Sequence, residues 1–440
     1  MKKMKFLVSQ LYLLTLLALP FISSSCNDDD EPKAEITSLG IEDGATVNVG
    51  QIIKLEAQIN NTNTQGGIEY NWEVNGESES HESNYTFMAS KKGTHTITLN
   101  ITNNTDNFQK SISINAQMYP SSFYVVNEGK SSGSVNRYHK GEWNYKIISE
   151  LGYPSTVGVV DENYMYIVSQ NSPFLVRAKL SDHSIVDRIR STLGPNGQAN
   201  NFCIINDQTG ILTTTNGAFK VDLNPLTLGE KLNNMDVRND KEDIYKTENY
   251  LFILSKGAVK VYDINDLSFK KEIGTEIKTG FALTKDGMLW AANGNKLTGI
   301  NTTTLNSKDI ELPDELKIYY NQWAYTPTGL CASTTENVLY FVNTTQEGST
   351  IYGKNIYKFD IRTESATPLF STPAENMSIY GAGIQVDPSN GDVYLFYTED
   401  GWGEHYLNTY IYVIDGVTGA QKAIIDYSGE YWFPSTITFR

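Results

Sequence analysis

A strand-like segment recurs seven times after residue 118, and this repeat sets the fold class of the chain. Each copy is a short apolar run that ends at a polar turn, and successive copies begin 37 to 55 residues apart. That spacing is typical of β-propeller blades, which contain four antiparallel strands each. The copies begin at Phe123, Tyr164, Ile211, Leu251, Met288, Val338 and Val393.

The end of the chain indicates how such a ring would close. Residues 433–439, FPSTITF, match residues 153–159, YPSTVGV, which we interpret as the innermost strand of a blade. We therefore expect the last segment to supply the innermost strand of the first blade and to close a seven-bladed propeller over residues 118–440, with few free strand edges. One or two β-sandwich domains are the alternative. The innermost strand of the fourth blade, around Lys241–Asn249, is poorly marked.

Composition agrees with an all-β protein and excludes several functions. The 440 residues include 27 Tyr and 34 Gly, which suits short strands joined by tight turns. A net charge of −16 argues against binding nucleic acid through phosphate neutralisation. Five His and three Cys are too few for a His/Cys metal cage or a disulfide scaffold, and we expect no metal and no cofactor. Cys203 and Cys331, on predicted innermost strands, are interpreted as buried free thiols.

The first residues have the pattern of a bacterial lipoprotein signal peptide, assigned to residues 1–25. Three lysines precede an apolar stretch, and small residues stand directly before Cys26. We expect cleavage before Cys26, lipid on this residue, and an acidic tether over residues 26–34. An uncleaved transmembrane anchor is the alternative, but the stretch is short for a membrane span. The run Asn27–Glu31 resembles the acidic export signal of Bacteroidetes lipoproteins, which implies an anchor on the outer face of the outer membrane.

Residues 35–117 predict a separate small β-domain. Alternating segments of five to eight residues are separated by polar turns, and Asn75-Gly76 is a strong hairpin signal. Seven short strands in this length fit an immunoglobulin-like sandwich with Trp72 in its core. The stretch YNWEVNG, with GTHTITLNITN further on, resembles PKD-type domains. That resemblance implies a fold and no chemistry, so the expected role is a stalk.

A ligand would be expected on the loop face, which we define as the face formed by the second-to-third-strand loops and the loops that enter the innermost strands. This face is rich in amides and aromatic residues, which suit a large, polar, ring-containing ligand better than proton transfer. The alternative is that its asparagines and glycines serve turn geometry. The long loop of the last blade, Tyr397–Tyr410, is expected to cover the site. The candidate ligand-binding residues are Asn127, Glu128, Tyr153, Gln170, Asn171, Asn201, Asn216, Asn293, Asn321, Trp323, Asn343, Tyr380, Glu399, Trp402, Trp432 and Phe433.

Catalysis is not expected from these residues. Glycoside hydrolysis needs two carboxylates at a defined separation, and the acidic candidates on this face are Glu128, Glu399, Asp400 and Glu404. His139, His183 and His405 form no pair at metal-ligand spacing. A propeller hydrolase or lyase remains the less favoured alternative.

Several motifs together resemble a family of surface propeller lipoproteins from Bacteroidetes, with YncE-like or DUF5074-type propellers. They are VVNEG at residues 125–129, PSTVGVVDENYMYIVSQNS at residues 154–172, and the strand ends VYDINDLS and KFDIRTES. The best-understood members capture vitamin B12 and pass it to a TonB-dependent outer-membrane transporter. The resemblance implies a corrinoid-binding surface lipoprotein, and no contact residues are carried over. Glycan binding in polysaccharide uptake and a protein-interaction scaffold are the other open functions.

Overall fold

The computed structural model describes residues 34–60, 67–103, 106–235, 243–274, 276–318, 329–344, 353–401, 403–429 and 433–440. Within these ranges the protein is all-β, apart from one short 3-10 helix at Gly403–Leu407. No helix in this part of the chain is long and apolar enough to cross a membrane. The predicted all-β class is thus confirmed. Cys26 and the signal segment lie outside the described residues.

Nine strands precede the repeats. They form a five-stranded sheet in the order β2-β9-β8-β5-β6 and two strand pairs, β1-β4 and β3-β7. Trp72 on β5 is fully buried, as expected, and its Nε1 donates to Glu82 O at 3.0 Å. The immunoglobulin-like and PKD-type assignments stay predictions. The strands are β1 (Glu35–Ser38), β2 (Ala45–Asn48), β3 (Ile52–Glu56), β4 (Gln58–Asn60), β5 (Ile68–Val74), β6 (Glu77–Ser80), β7 (Asn84–Met88), β8 (Gly93–Asn103) and β9 (Asp106–Gln117).

The hairpin predicted from Asn75-Gly76 joins β5 to β6. Asn75 has φ +53° and Gly76 has φ +87°, and Val74 pairs with Glu77 across the turn. Two consecutive positive φ values match the turn type whose twist fits a two-residue hairpin, and Asn-Gly adopts it with little strain.

Seven four-stranded sheets follow, as the repeat predicts. Blade 1 joins the last strand to the first three, in the order β37-β10-β11-β12, and blades 2 to 7 each use four consecutive strands. The strands of blades 1 to 3 are β10 (Ser122–Asn127), β11 (Ser134–His139), β12 (Glu142–Ile148), β13 (Ser155–Val160), β14 (Tyr164–Ser169), β15 (Leu175–Lys179), β16 (Ile185–Ile189), β17 (Ala199–Ile204), β18 (Thr209–Thr214), β19 (Gly217–Leu223) and β20 (Leu226–Lys231).

Blades 4 to 7 complete the ring. The poorly marked innermost strand of blade 4 is only three residues long, because regular pairing is confined to Ile244–Lys246. The strands are β21 (Ile244–Lys246), β22 (Tyr250–Ser255), β23 (Ala258–Asp263), β24 (Phe269–Ile273), β25 (Ala282–Leu283), β26 (Met288–Asn293), β27 (Lys296–Asn301), β28 (Ser307–Glu311), β29 (Leu330–Ala332), β30 (Val338–Asn343), β31 (Asn355–Asp360), β32 (Ser365–Ser371), β33 (Met377–Val386), β34 (Val393–Glu399), β35 (Thr409–Ile414), β36 (Gln421–Asp426) and β37 (Pro434–Phe439).

The predicted ring closure is confirmed by strand pairing. β37 pairs antiparallel with β10, so that Val125 lies opposite Ile437. β37 also contacts β13 and β33, the innermost strands of the blades on either side. Thr438 Oγ1 donates to Gly158 O at 2.8 Å and ties the last strand to blade 2. The two ends of the propeller therefore meet within one sheet.

The recurring strand-end motif forms the turn between the third and fourth strands. Asp360 Oδ1 accepts the backbone N–H groups of Arg362 and Thr363, at 2.8 and 3.1 Å. Asp415 does the same for Val417 and Thr418, at 3.1 and 2.8 Å. These bonds lower the pKa of Asp360, because they stabilise its carboxylate. The motif is therefore an Asp-capped turn that repeats with the blades.

Candidate functional site

The mouth of the central channel lies where the innermost strands begin. The second strand of each blade ends beside the first residues of the innermost strand. For example, Asn127 at the end of β10 pairs with Pro434, and Glu399 at the end of β34 pairs with Met377. Those predicted site residues that the structure describes thus lie on one face, the loop face.

At the junction of blades 1 and 7, the structure brings together three of the predicted residues. Glu128 is 2% exposed, and its Oε1 accepts the Tyr380 hydroxyl at 2.9 Å. The Tyr380 ring stacks on Phe433, with ring centroids 4.4 Å apart. Glu128 N donates to Phe433 O at 2.9 Å, so the carboxylate and the aromatic pair form one unit. This unit joins the two ends of the ring on the loop face.

A charged cluster on blade 7 lies on the same face. Lys354 Nζ is 3.3 Å from Asp400 Oδ2, and Ser378 Oγ donates to the other carboxylate oxygen. These two bonds bring together β33, the residue that follows β34, and the segment that leads into β31.

Glu399 occupies the neighbouring position in that cluster. Its Oε1 accepts Asn376 Nδ2 at 3.3 Å, and its Oε2 accepts Asn408 Nδ2. His405, on the 3-10 helix, has its Nδ1 at 3.7 Å from Glu399 Oε1. The last-blade loop thus carries charged and polar side chains on the loop face. That it covers a binding site stays a prediction. Trp402 of this loop lies outside the described residues.

Five predicted asparagines have their side chains engaged in hydrogen bonds within the protein. The Asn127 amide bonds Tyr427 and Ser134, the Asn171 amide donates to Tyr153 O at 2.5 Å, and the Asn216 amide donates to Leu193 O at 2.9 Å. Lys317 N donates to Asn343 Oδ1, and Asn201 Nδ2 donates to Asp243 Oδ1, both at 2.8 Å. These amides therefore have a structural role, in which each connects its own segment to another segment at least 18 residues away. Ligand contact by them stays a prediction.

Three other predicted residues are differently placed. Tyr153, Gln170 and Asn293 are partly exposed, and their side chains make no hydrogen bond to any residue within the described ranges. They lie at strand ends of blades 2 and 5 on the loop face. Asn321, Trp323 and Trp432 lie outside the described residues. Tyr153, Gln170 and Asn293 are therefore the described groups best placed to meet a ligand.

Sequence reasoning missed Asp243, which precedes the weakly marked strand β21. Its Oδ1 accepts the Asn201 amide and Ile244 N, and its Oδ2 accepts Phe281 N at 2.6 Å. One carboxylate thus connects the innermost-strand regions of blades 3, 4 and 5. Its surroundings raise its pKa to about 6 because burial disfavours the charge. No spacing or motif marks this residue, since its partners are 38 and 42 residues away.

These groups can donate and accept hydrogen bonds and can pack against the rings of a ligand. Among the described side chains, no group of three or more His, Cys, Asp or Glu could hold a metal ion. Glu404 is exposed on the 3-10 helix. The other three acidic candidates accept hydrogen bonds: Glu128 from Tyr380, Glu399 from Asn376 and Asn408, and Asp400 from Ser378. Cys203 and Cys331 are free and lie on innermost strands, but both are partly exposed and not fully buried as expected. Partial burial still raises the pKa of Cys203 to about 11.

Residues 121–440 match the model of DUF5074, a domain of unknown function. The chain belongs to the DUF5074 family. The matched region begins one residue before β10 and ends one residue after β37, so the DUF5074 domain coincides with the seven blades. The predicted DUF5074-type resemblance is confirmed, whereas the family match carries no information on a corrinoid. No curated protein matches the chain.

Solved structures resemble this DUF5074 protein in fold. A quinonprotein alcohol dehydrogenase-like protein from Bacteroides thetaiotaomicron is 18% identical, with a TM-score of 0.54, over 92% of this chain and 99% of that one. The Neurospora crassa Pan2 WD40 domain is 13% identical, with a TM-score of 0.46, over 63% and 80%. The extracellular domain of a one-component system from B. thetaiotaomicron is 13% identical, with a TM-score of 0.46, over 70% and 35%. The first likeness supports the propeller fold alone.

Proposed function

We propose that this protein is a lipid-anchored protein of the outer-membrane surface that binds a nutrient molecule on the loop face of its propeller. The observation that carries the proposal is the composition of the channel mouth. An aromatic pair and a buried carboxylate join blades 1 and 7, and partly exposed Tyr153, Gln170 and Asn293 lie on the same face. Flat apolar surface with a few polar groups is the usual lining of a small-molecule site.

A corrinoid such as vitamin B12 is the first ligand to test. A corrin ring is wide and flat and carries many amide side chains, so it needs both amide partners and aromatic contact. Gln170 and Asn293 supply the amides, and Tyr153 supplies an aromatic ring. Delivery to a TonB-dependent transporter in the outer membrane would follow capture. The location rests on the signal pattern that ends at Cys26.

The direct experiment is calorimetric titration of the purified protein with cyanocobalamin and with cobinamide. Saturable binding and a raised unfolding midpoint are expected, since a ligand at a thousandfold excess over Kd stabilises the folded state by about 4 kcal/mol. We expect Tyr153→Ala and Gln170→Ala each to weaken binding by about tenfold, the loss of about 1.4 kcal/mol. No heat and no midpoint shift with either corrinoid would remove the corrinoid from the proposal.

Gln208→Ala is the matched control. Gln208 is an exposed glutamine in the turn between β17 and β18, which is the opposite end of the innermost strand from the loop face. It should leave corrinoid binding unchanged. If the control weakens binding as much as Gln170→Ala does, the ligand does not sit on the loop face. If neither corrinoid binds, a glycan array tests glycans as the second class of nutrient on the same protein.

A further inference from the structure

The sheets before the repeats pack directly against the outer edge of blade 7. Ile424 N on β36 donates to Val49 O at 3.1 Å, and Gln421 Nε2 donates to Gly50 O at 2.5 Å. Gly50 has φ +78°, and a Cβ atom there would lie 2.3 Å from Ile424 N. The two backbones therefore approach as closely as they do because residue 50 has no side chain.

The segment that connects β9 to β10, residues 118–121, is also held by hydrogen bonds to the propeller. Tyr119 is buried, its hydroxyl donates to Asp392, and its carbonyl accepts the Tyr138 hydroxyl at 2.9 Å. Two residues later, Ser121 Oγ accepts the Tyr394 hydroxyl at 2.6 Å. Blades 1 and 7 therefore both hold the segment that connects the first sheets to the propeller.

A cleft of about 530 Å³ opens at this junction. Its walls are mainly apolar and include Met88, Met118, Tyr410 and Ile424. Met88 is 45% exposed, which is high for a large apolar side chain. Methionine adapts its shape to irregular ligands because it has three rotatable bonds and a polarisable sulfur. The volume falls within the range of small-molecule sites.

The rim of the cleft is positive. Lys91 and Lys92 line it, and neither side chain forms an ion pair with a residue in the described ranges. Asp426 is the single acidic residue among those that line the cleft, and its Oδ1 accepts Ser428 N at 2.8 Å. Two adjacent lysines without ion-pair partners stand out in a chain with a net charge of −16. They favour an anionic group at this end of an apolar cleft.

We propose that this cleft binds a small molecule with an apolar body and a carboxylate or other anionic group. The apolar body would pack between Met88, Met118 and Ile424, and the anion would lie at Lys91 and Lys92. The cleft is formed by the turn at Val49 and Gly50, by Met88 and the residues that follow β7, by Met118, and by blades 1 and 7. It lies at the outer edge of the propeller, so the proposal is separate from nutrient binding on the loop face.

The test uses 8-anilinonaphthalene-1-sulfonate, which combines an aromatic body with a sulfonate and fluoresces when it is bound in apolar surroundings. Purified protein should bind it saturably at one site. Dodecanoate should displace it, and dodecyltrimethylammonium, which has the same chain length and the opposite charge, should need at least a tenfold higher concentration. Equal displacement by the two detergents, or no saturable binding, would overturn the proposal.

Two variants place the site. Lys92→Glu should weaken dodecanoate binding by about tenfold, because attraction becomes repulsion at the rim. Lys54→Glu is the matched control: it makes the same charge change on exposed β3, outside the cleft, and should leave binding unchanged. Ser90→Trp, at the exposed rim, should abolish binding by filling the entrance. Unchanged dodecanoate binding in both Lys92→Glu and Ser90→Trp would refute this location. Corrinoid titration of the same variants tests the loop face separately, so the two proposals can fail independently.

Discussion

Removing one hydroxyl group, in Tyr427→Phe, tests how the two ends of the propeller are held together. Tyr427 follows blade 7 and is 3% exposed. Its hydroxyl donates to Asn127 Oδ1 at 2.6 Å and accepts Asn136 Nδ2 at 2.7 Å. Both asparagines are on blade 1 and are fully buried. The hydroxyl is therefore the hydrogen-bond partner of one buried acceptor, Asn127 Oδ1, and one buried donor, Asn136 Nδ2.

The expected loss follows from those two groups. A buried donor or acceptor that loses its partner costs about 1–3 kcal/mol, so the loss of both should lower the unfolding free energy by about 2–6 kcal/mol. The ring remains, and with it the packing against Trp143, whose centroid is 4.7 Å from that of Tyr427. At about 2–4 °C per kcal/mol, the midpoint of thermal unfolding should fall by about 4–24 °C.

Differential scanning calorimetry of the variant beside Tyr250→Phe measures this effect. The Tyr250 hydroxyl makes no hydrogen bond to the described residues, so this control should shift the midpoint by less than about 1 °C, as for a surface change. Corrinoid affinity of Tyr427→Phe should equal that of the unmodified protein if Asn127 is a structural residue. Equal midpoints for the two variants would refute the reasoning, and a loss of affinity without a loss of stability would restore Asn127 to the binding site.

Three further predictions follow from single groups. Burial raises the pKa of Asp243 to about 6, so the stability that its protonated form contributes is present below about pH 4 and is lost as the pH rises through 6. The difference in unfolding free energy between the protein and Asp243→Asn should change over this interval, and a constant difference from pH 4 to 8 would disprove it. Because partial burial raises the pKa of both thiols, Cys203 and Cys331 should react more slowly with a disulfide reagent in the native protein than after denaturant is added. Equal rates in the two conditions would contradict this prediction. Cys26→Ala should move the protein from the membrane fraction to the soluble fraction and end its sensitivity to protease at the cell surface, and unchanged fractionation would argue against lipidation.

The sequence determined the blade count and the ring closure because both depend on local patterns. A four-strand blade repeats its apolar runs and Asp-capped turns at nearly constant spacing, and the match between residues 433–439 and 153–159 marks the closing strand. The Asn75-Gly76 hairpin was predictable for the same reason, since two residues specify that turn. The lipoprotein pattern at Cys26 is equally local.

The tertiary structure alone decided which polar residues hold the fold and which remain available to a ligand. Asn127 and Gln170 both lie at second-strand ends and look equivalent in sequence, yet Asn127 is buried against Tyr427 from the far end of the chain. Asp243 joins three blades through partners that no motif links. The cleft beside blade 7 takes its walls from segments that begin at Val49 and end at Asp426. Such features depend on contacts between segments that lie from 38 to 300 residues apart or more, so no local pattern can specify them.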